Sequence, residues 1–285
     1  MTLPVPTLDH VVVNVRDQID QGAEIYRRLG FTLTPRGYHT LGSMNHLAMF
    51  GTDYLELIAA PPDDTKRAEI LTAPIGLNGL VFGSEDSAAT YAALRDAGVP
   101  VEPPQEFSRP VALPGGPRDA TFRTVRLTPG TTSAGRLYFC HHFTRDLVWR
   151  DEWRHHANGT IGIAQAVIAA RDPSNLGRLF RQMFGTDTVR PIPGGLRLML
   201  GLSEFEVITP ETLHERFPNA APDGDGRPEY MAALVFYTKS LNTAGAALAA
   251  GQIAGVTHDT GRIVVPASSA FGATLEFRGP LTDTL

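Results

Sequence analysis

The sequence predicts an α+β protein built from four βαβββ modules. Two observations support this prediction: one order of features recurs four times along the 285 residues, and its helices have nearly equal lengths. Each recurrence contains an apolar strand, a polar helix start, an amphipathic helix, a glycine and then short β-rich segments. The composition is that of a globular chain, because 42% of the residues are apolar and 19% are charged.

Each helix is predicted to lie between a capping residue and a glycine. Short Asp and Ser side chains accept hydrogen bonds from the free amides of a helix start, and proline suits the first helical position. Glycine tolerates the left-handed conformation that ends many helices. The pairs are Asp17 and Gly30, Asp86 (or Ser87) and Gly98, Asp172 (followed by Pro173) and Gly185, and Ser240 and Gly251, with separations of 13 (17 to 30), 12 (86 to 98), 13 (172 to 185) and 11 (240 to 251).

The four modules pair into two halves, which predicts domains at residues 1–142 and 160–285. A polar linker, residues 143–159, separates them and contains both tryptophans, Trp149 and Trp153. Two segments are rich in turn-forming residues. Residues 100–121 are predicted to form a lid or covering loop, and Pro210 to Glu229 a surface loop.

Charge and motifs argue against several classes of protein. The net charge of -5 and the absence of a Lys/Arg cluster give no support to nucleic-acid or membrane binding. The single cysteine, Cys140, cannot form an internal disulfide, and we expect it to be a buried strand residue. Met1 to Pro6 has no signal-peptide pattern, so a cytoplasmic location is predicted. No nucleotide cofactor is expected, because GxGxxG and Walker-type motifs are absent.

The first module carries the most specific resemblance to a known family. Its segments are Leu8-Asp9-His10-Val11-Val12, Tyr26-Arg27-Arg28-Leu29-Gly30-Phe31, Gly42-Ser43-Met44-Asn45 and Tyr54-Leu55-Glu56-Leu57-Ile58. With the four modules, they resemble the glyoxalase-like proteins of the vicinal-oxygen-chelate (VOC) superfamily. This resemblance implies two half-barrel domains, each with four ligand positions for one divalent metal, contributed by the first and last strand of each module. A single chain then completes both half-barrels, so a monomer or a homodimer is expected.

In the first half, the resemblance places His10 at the first ligand position and Glu56 at the second. The third position falls on Gly79, which has no side chain to offer. The fourth lies within Leu137 to His142, where His141 and His142 point to opposite faces of the strand. Two histidines and a carboxylate suit Fe, Mn, Zn or Ni. The alternative is a strand histidine and a carboxylate that are satisfied by neighbouring polar groups.

In the second half, the corresponding positions hold Gln165, Glu206 and Glu276, with Ala232 or Ala233 at the third. Two buried carboxylates in one cavity need a metal, an arginine or a shared proton. The alternative, which we favour, is that they lie near the open edge of the barrel and stay solvated.

Five more residues are candidates in the first half. His39 is a candidate acid/base and Asn45 a substrate-orienting group, although Gly42-Ser43 also suits a turn beside Asn45. Arg109, Arg118 and Arg123 lie near the predicted lid, where an arginine can hold a substrate carboxylate. The alternative for each arginine is an ordinary surface position.

Two functions follow from the resemblance. The first is a divalent-metal-dependent enzyme, of the isomerase, lyase or dioxygenase type, that acts on a small oxygenated metabolite. The second is a metal-free protein that binds a small molecule, as bleomycin-resistance proteins do. A metal held by His10 and Glu56 favours the enzyme, whereas an apolar cavity without metal favours the binder.

Overall fold

The chain forms two eight-stranded sheets with the same strand order, in a computed structural model that describes Leu3 and residues 7–279. The order is β2-β3-β4-β1-β5-β8-β7-β6 in the first sheet and β10-β11-β12-β9-β13-β16-β15-β14 in the second. The predicted α+β class with four βαβββ modules is confirmed. The first sheet contains β1 (Leu8–Asn14), β2 (Gly37–Tyr38), β3 (Met44–Met49), β4 (Tyr54–Ala59), β5 (Gly76–Gly83), β6 (Gln105–Val111), β7 (Arg118–Arg126) and β8 (Arg136–His142).

The second sheet repeats this arrangement from Thr160 onwards. In both sheets the first strands of the paired modules lie side by side and antiparallel, and each also pairs in parallel with the last strand of its own module. The strands are β9 (Thr160–Ala170), β10 (Val189–Ile192), β11 (Gly195–Leu200), β12 (Ser203–Ile208), β13 (Glu229–Thr238), β14 (Thr257–Asp259), β15 (Arg262–Val265) and β16 (Thr274–Arg278).

Each module has one crossover helix after its first strand, as a parallel pairing requires. The side chains of Asp86, Asp172 and Ser240 cap three of these helices as predicted. Asp17 does not cap the first, since Gln18 takes that place without a side-chain hydrogen bond. The helices are α1 (Ile19–Arg28), α2 (Ala68–Thr72), α3 (Ser87–Asp96), α4 (Pro173–Phe184), α5 (Pro210–Arg216) and α6 (Leu241–Ala250).

The last helix ends differently from the prediction. Gly251 has a φ of −75°, and Gln252 takes the left-handed conformation with a φ of 52°. A Cβ at Gly251 would overlap the carbonyl oxygen of Arg28. Gly251 is therefore required by the close approach of α6 to the end of α1, and not by its own backbone angles.

The two predicted loop segments contain regular structure. Half of residues 100–121 belong to β6 and the start of β7, and Pro110 is tolerated because β6 lies at the edge of its sheet. Residues 210–216 form α5, since Thr209 accepts a hydrogen bond from the Thr212 amide and Pro210 occupies the first turn. The loop predictions rested on composition alone. They failed because proline and glycine also occur at helix starts and in edge strands, and not only in turns.

The apolar core extends through both halves. Its largest cluster joins residues of both sheets to the inner faces of α1, α3, α4 and α6, and it includes Tyr26, Phe82, Phe180 and Phe236. A smaller cluster lies on the other face of each sheet. Among the described residues, no helix has the length and apolar character needed to cross a membrane.

Candidate active site

A cavity opens on the concave face of the first sheet, on the side away from the crossover helices. The sheet curls until β2 meets β6, where the Thr40 amide donates to the Ser108 carbonyl oxygen over 2.9 Å. The cavity volume is about 40 Å³, well below the roughly 300–1,000 Å³ of most ligand pockets, so without movement of its lining it holds only a few atoms of a ligand. Its polar lining comes from His10, His39, Ser43, Asn45, Tyr54, Glu56, Arg67, Arg109, Thr124, Arg126, Arg136, Tyr138 and Cys140.

His10 is held in one orientation by its neighbours. The pairing of β1 with β5 is irregular between Leu8 and His10, and the intervening Asp9 turns its carboxylate onto His10 Nδ1 at 2.6 Å. Burial alone would raise the pKa of Asp9, but His142 and His10 hold it well below its usual range. An ionised carboxylate only accepts, so the Nδ1 of His10 donates to Asp9 and its Nε2 faces the cavity. The Tyr138 hydroxyl lies 3.2 Å from that Nε2.

Glu56 faces His10 across the cavity floor. Its Oε2 lies 3.7 Å from His10 Nε2, and its Oε1 accepts a hydrogen bond of 2.6 Å from the Asn45 amide. Burial would raise the pKa of Glu56, but His10, His39 and the Asn45 hydrogen bond outweigh it and lower the pKa. Glu56 is therefore an ionised, buried carboxylate.

The Asn45 amide also fixes His39. Its nitrogen lies 3.3 Å from His39 Nε2, while His39 Nδ1 lies 2.9 Å from the Ser43 hydroxyl. Burial lowers the pKa of His39 to about 4, so the ring is neutral at neutral pH. Both Asn45 amide hydrogens are used by these two acceptors, and its buried Oδ1 has no hydrogen-bond partner.

The third ligand position lacks a donor for a steric reason. Gly79 pairs with Val12 of the neighbouring strand. A Cβ built on Gly79 would lie 2.8 Å from the Cβ of Val12, closer than two carbon atoms can pack. The packing of β1 on β5 therefore excludes a side chain there.

The fourth position is Tyr138, a residue that the sequence reading missed. His10 pairs with Tyr54 of β4, and Glu56 lies two residues further along that strand. In the same way, Gly79 pairs with Arg136 of β8, and Tyr138 lies two residues further along. The two modules are thus equivalent at this point. Applying the register of Glu56 in the last strand of the first module to the last strand of the second module could have identified Tyr138.

The two candidate histidines of β8 do not line this cavity. His142 Nε2 lies 3.0 Å from Asp9 Oδ2, the same oxygen that His10 Nδ1 contacts. His141 stacks on Phe143 at the surface, and its Nδ1 accepts a weak hydrogen bond of 3.4 Å from the Ser87 amide. The expected His/Glu/His set is therefore not assembled. Tyr138, which precedes both histidines in β8, faces the cavity at this point.

One of the three candidate arginines reaches the cavity. Arg109 is 3% exposed, and one of its guanidinium nitrogens is buried without a hydrogen-bond partner. Arg118 is exposed at the start of β7, and Arg123 pairs with Glu106 at the surface. These two are surface arginines, as the alternative interpretation held.

Three further arginines that were not predicted line the cavity: Arg67, Arg126 and Arg136. Arg67 pairs with the carboxylate of Glu69. In the described part of the chain, Arg109, Arg126 and Arg136 have no carboxylate within 4.0 Å. The lining is therefore strongly cationic around a single buried Glu56.

The second half brings Gln165, Glu206 and Glu276 together around an arginine. Arg216, from α5, donates to Gln165 Oε1 and to Glu206 Oε2, the latter over 2.8 Å, and lies 4.0 Å from Glu276 Oε2. Glu206 and Glu276 are 4% and 0% exposed, so the favoured solvated alternative is wrong. Further guanidinium partners complete the cluster, namely Arg197 on Glu206 and Arg262 and Arg278 on Glu276.

The donor set of the first half fits a divalent ion at two positions. His10 Nε2 and Glu56 Oε2 are close enough to bind one ion, and Asp9 orients His10 as partner carboxylates orient metal-binding histidines. Tyr138 adds a hydroxyl, and Gly79 adds nothing. In the second half, the arginine cluster already supplies the positive charge, so its carboxylates do not call for a metal.

Known proteins share this architecture. A glyoxalase-like domain family matches residues 8–184, and no curated protein sequence matches the chain. A hypothetical protein from Staphylococcus aureus is similar in structure, with a TM-score of 0.67 and 12% identity over 97% of this chain and 100% of that one. A mutant 4-hydroxymandelate synthase from Streptomyces coelicolor has a TM-score of 0.58 and 14% identity over 97% and 93%.

A third similar structure is a fusion of a xylose isomerase-like TIM barrel with a 4-hydroxyphenylpyruvate dioxygenase. Its TM-score is 0.58 at 13% identity, covering 100% of this chain and 50% of that one. These identities support a common fold only. The family match spans more than half of the residues and includes the strands that carry His10 and Glu56. The chain belongs to the glyoxalase-like domain family of the VOC fold.

Proposed function

We propose that the first half is a divalent-metal-dependent enzyme site for a small, oxygenated, anionic metabolite. The observation that carries the proposal is the opposition of His10 Nε2 and Glu56 Oε2 at 3.7 Å within a cavity that arginines line. His10 and Glu56 would hold the ion, which supplies a Lewis acid able to polarise a substrate oxygen or acidify a bound water. The reaction would be of the isomerase, lyase or dioxygenase type.

The charge of the lining points to the class of substrate. Arg109, Arg126 and Arg136 have no carboxylate within 4.0 Å in the described residues. Arg126 and Arg136 are half-buried, but Arg109 is buried, and a buried cation requires a counter-charge. A substrate carboxylate beside a second oxygen would pair with these guanidinium groups in bidentate fashion. The name of one structural neighbour, 4-hydroxyphenylpyruvate dioxygenase, refers to a compound of this kind.

His39 and Asn45 act on Glu56 in this proposal. Asn45 donates to both Glu56 and His39, so His39 Nε2 is already engaged. We therefore assign His39 and Asn45 to positioning the carboxylate, and not to proton transfer with the substrate. Phe107, which packs edge-on against His39 at 5.3 Å between ring centres, helps to exclude water from this pair.

The alternative is a metal-free binding protein of the bleomycin-resistance type. Gly79 and Tyr138, at the third and fourth ligand positions, favour it because neither is an ordinary ligand of Zn, Fe or Mn. The buried carboxylate and the arginines oppose an apolar ligand. Metal binding at His10 and Glu56 separates the two functions.

The test is the metal affinity and anion affinity of tag-free protein. We expect Mn(II) to bind near stoichiometrically and His10→Ala or Glu56→Gln to weaken it at least about 10-fold, because each variant removes one of two protein ligands. Calorimetry with oxalate, a probe with vicinal oxygens, should show about 10-fold weaker binding by Arg109→Met, since a charged hydrogen bond contributes about 1.5–3 kcal/mol.

Matched controls lie at exposed positions. His214→Ala, Glu211→Gln and Arg118→Met remove the same chemical groups from the surface and should leave both affinities unchanged. If the wild type binds none of Mn(II), Fe(II), Zn(II) and Ni(II), the enzyme proposal fails. Retained oxalate binding in that case would identify the metal-free binder.

A further inference from the structure

A second pocket lies behind the candidate active site, between the two halves. Cys140 lines both spaces, and Asp9, Asp53 and His142 line only the second. The opposite wall comes from the second half, at Leu200 to Ser203. His10, Glu56, Gly79 and Tyr138 do not line this pocket.

Three different metal-binding side chains converge at its base. The ligand atoms of Asp9, Cys140 and His142 all lie within 4.8 Å of one another. They are also withdrawn from water, since Asp9 and Cys140 are each 3% exposed and the side chain of His142 is 4% exposed. Asp9 reaches this place because of the irregular pairing of β1 with β5.

Two buried groups here are incompletely satisfied, one without a hydrogen-bond partner and one without a cation. His142 Nδ1 has no hydrogen-bond partner, although Phe122 and Trp149 enclose its ring. Asp53 is 4% exposed, and its carboxyl accepts from the Ile163 amide over 3.1 Å without a cation within 4.0 Å among the described residues. Burial raises the pKa of Asp53 to about 7.

The charge of the pocket is incompletely balanced. Arg145 Nη1 lies 3.8 Å from Asp9 Oδ1, but its side chain is half-exposed and stacks on Trp149. Arg145 is therefore a loosely held partner of Asp9 alone, since Asp53 has no cation within 4.0 Å among the described residues. A divalent cation among Asp9, Cys140 and His142 would add positive charge beside these carboxyl groups and would take one imidazole nitrogen of His142 as a ligand.

We propose that Asp9, Cys140 and His142 form a second metal site, selective for a thiophilic divalent ion such as Zn(II) and distinct from His10 and Glu56. Thiolate, imidazole and carboxylate are the donors that Zn(II) takes in proteins, and three of them leave one position open to the pocket. Binding forms the Zn–S bond as the thiol releases one proton to solvent. The proposal does not require that the first cavity be an enzyme.

Cobalt(II), a spectroscopic substitute for Zn(II), tests the site in the metal-stripped full-length protein. We expect a near-ultraviolet thiolate-to-cobalt charge-transfer band in the wild type. Cys140→Ala and Cys140→Ser should abolish the band, and His142→Gln should weaken Co(II) binding at least about 10-fold. Circular dichroism would establish that each variant is folded, and His155→Ala is the exposed histidine control.

Glu56→Gln locates the ion, because Cys140 also lines the first cavity. The band should persist in this variant if the ion is bound by Asp9, Cys140 and His142. Absence of the band in wild-type protein with excess Co(II), or its loss in Glu56→Gln, would overturn the proposal. Loss in Glu56→Gln would place the ion in the first cavity and leave the enzyme proposal standing.

Discussion

Arg216 occupies the centre of the second half, where the first half has its candidate metal ligands. Its guanidinium contacts Gln165, Glu206 and Glu276, which are the three donors at ligand positions of that half. In the second half, a side-chain cation lies among these donors. This arginine comes from α5, outside the βαβββ module.

The first prediction concerns Arg216→Met. Removing one partner of a buried ion pair leaves an uncompensated charge and costs about 3–5 kcal/mol. We expect the lower end of that range, because Arg197 and Arg278 still pair with the two carboxylates. Urea denaturation measures it. The exposed Arg190→Met should change stability by less than about 0.5 kcal/mol, and an equal loss in both variants would refute the assignment.

At the scale of elements, the linker between the halves is attached to the first sheet by His156. Its Nδ1 accepts from the Thr32 amide over 3.0 Å, and its Nε2 donates to the Met49 carbonyl oxygen over 2.8 Å. Only the neutral ring can make both contacts. Burial lowers the pKa of His156 to about 4, in keeping with that state.

The second prediction is that His156 contributes to acid sensitivity. Its folded pKa of about 4 lies below the unfolded value of about 6.5. The unfolded chain binds more protons between these values, so stability rises with pH across this window and is lost on acidification. His156→Ala should cost about 1–3 kcal/mol at pH 7 and less at pH 5.

Urea denaturation at the two pH values measures this difference, with His155→Ala as the control. His155 is exposed, and its carbonyl contact with Thr32 survives the substitution. A cost of His156→Ala that is independent of pH would show that protonation of this ring does not matter.

At the scale of the whole molecule, aromatic side chains join the halves. Phe236 of β13 is completely buried and lies 5.3 Å from Phe31 and 5.8 Å from Phe50 between ring centres. Phe82 and Phe184 make a second contact across the halves at 5.1 Å. Because one core serves both sheets, we expect the molecule to unfold in a single transition.

The third prediction follows from this shared core. Phe236→Ala should cost about 3–5 kcal/mol and should shift the unfolding midpoint of both halves together. Tryptophan fluorescence reports the first half, because Trp149 packs against Tyr54, and far-ultraviolet circular dichroism reports the whole chain. The exposed Leu202→Ala is the control. A fluorescence midpoint unchanged by Phe236→Ala would indicate that the halves unfold independently.

The fold follows largely from local pattern. The spacing of caps and glycines, the amphipathic helices and the apolar strands predicted four modules, because each is a property of neighbouring residues. The errors arose where local composition is ambiguous. Pro210 begins a helix and Pro110 lies in an edge strand, although both occur in segments that read as loops.

The ligand set depended on tertiary structure. The family resemblance placed His10 and Glu56 at candidate ligand positions, but identifying Tyr138 and Arg216 required the pairing of distant strands and the direction of α5. A one-residue change of register reverses the face of every side chain in a strand, so sequence could not choose among the residues of β8. Sequence determined the repeated modules, whereas the packing between strands decided which side chains meet.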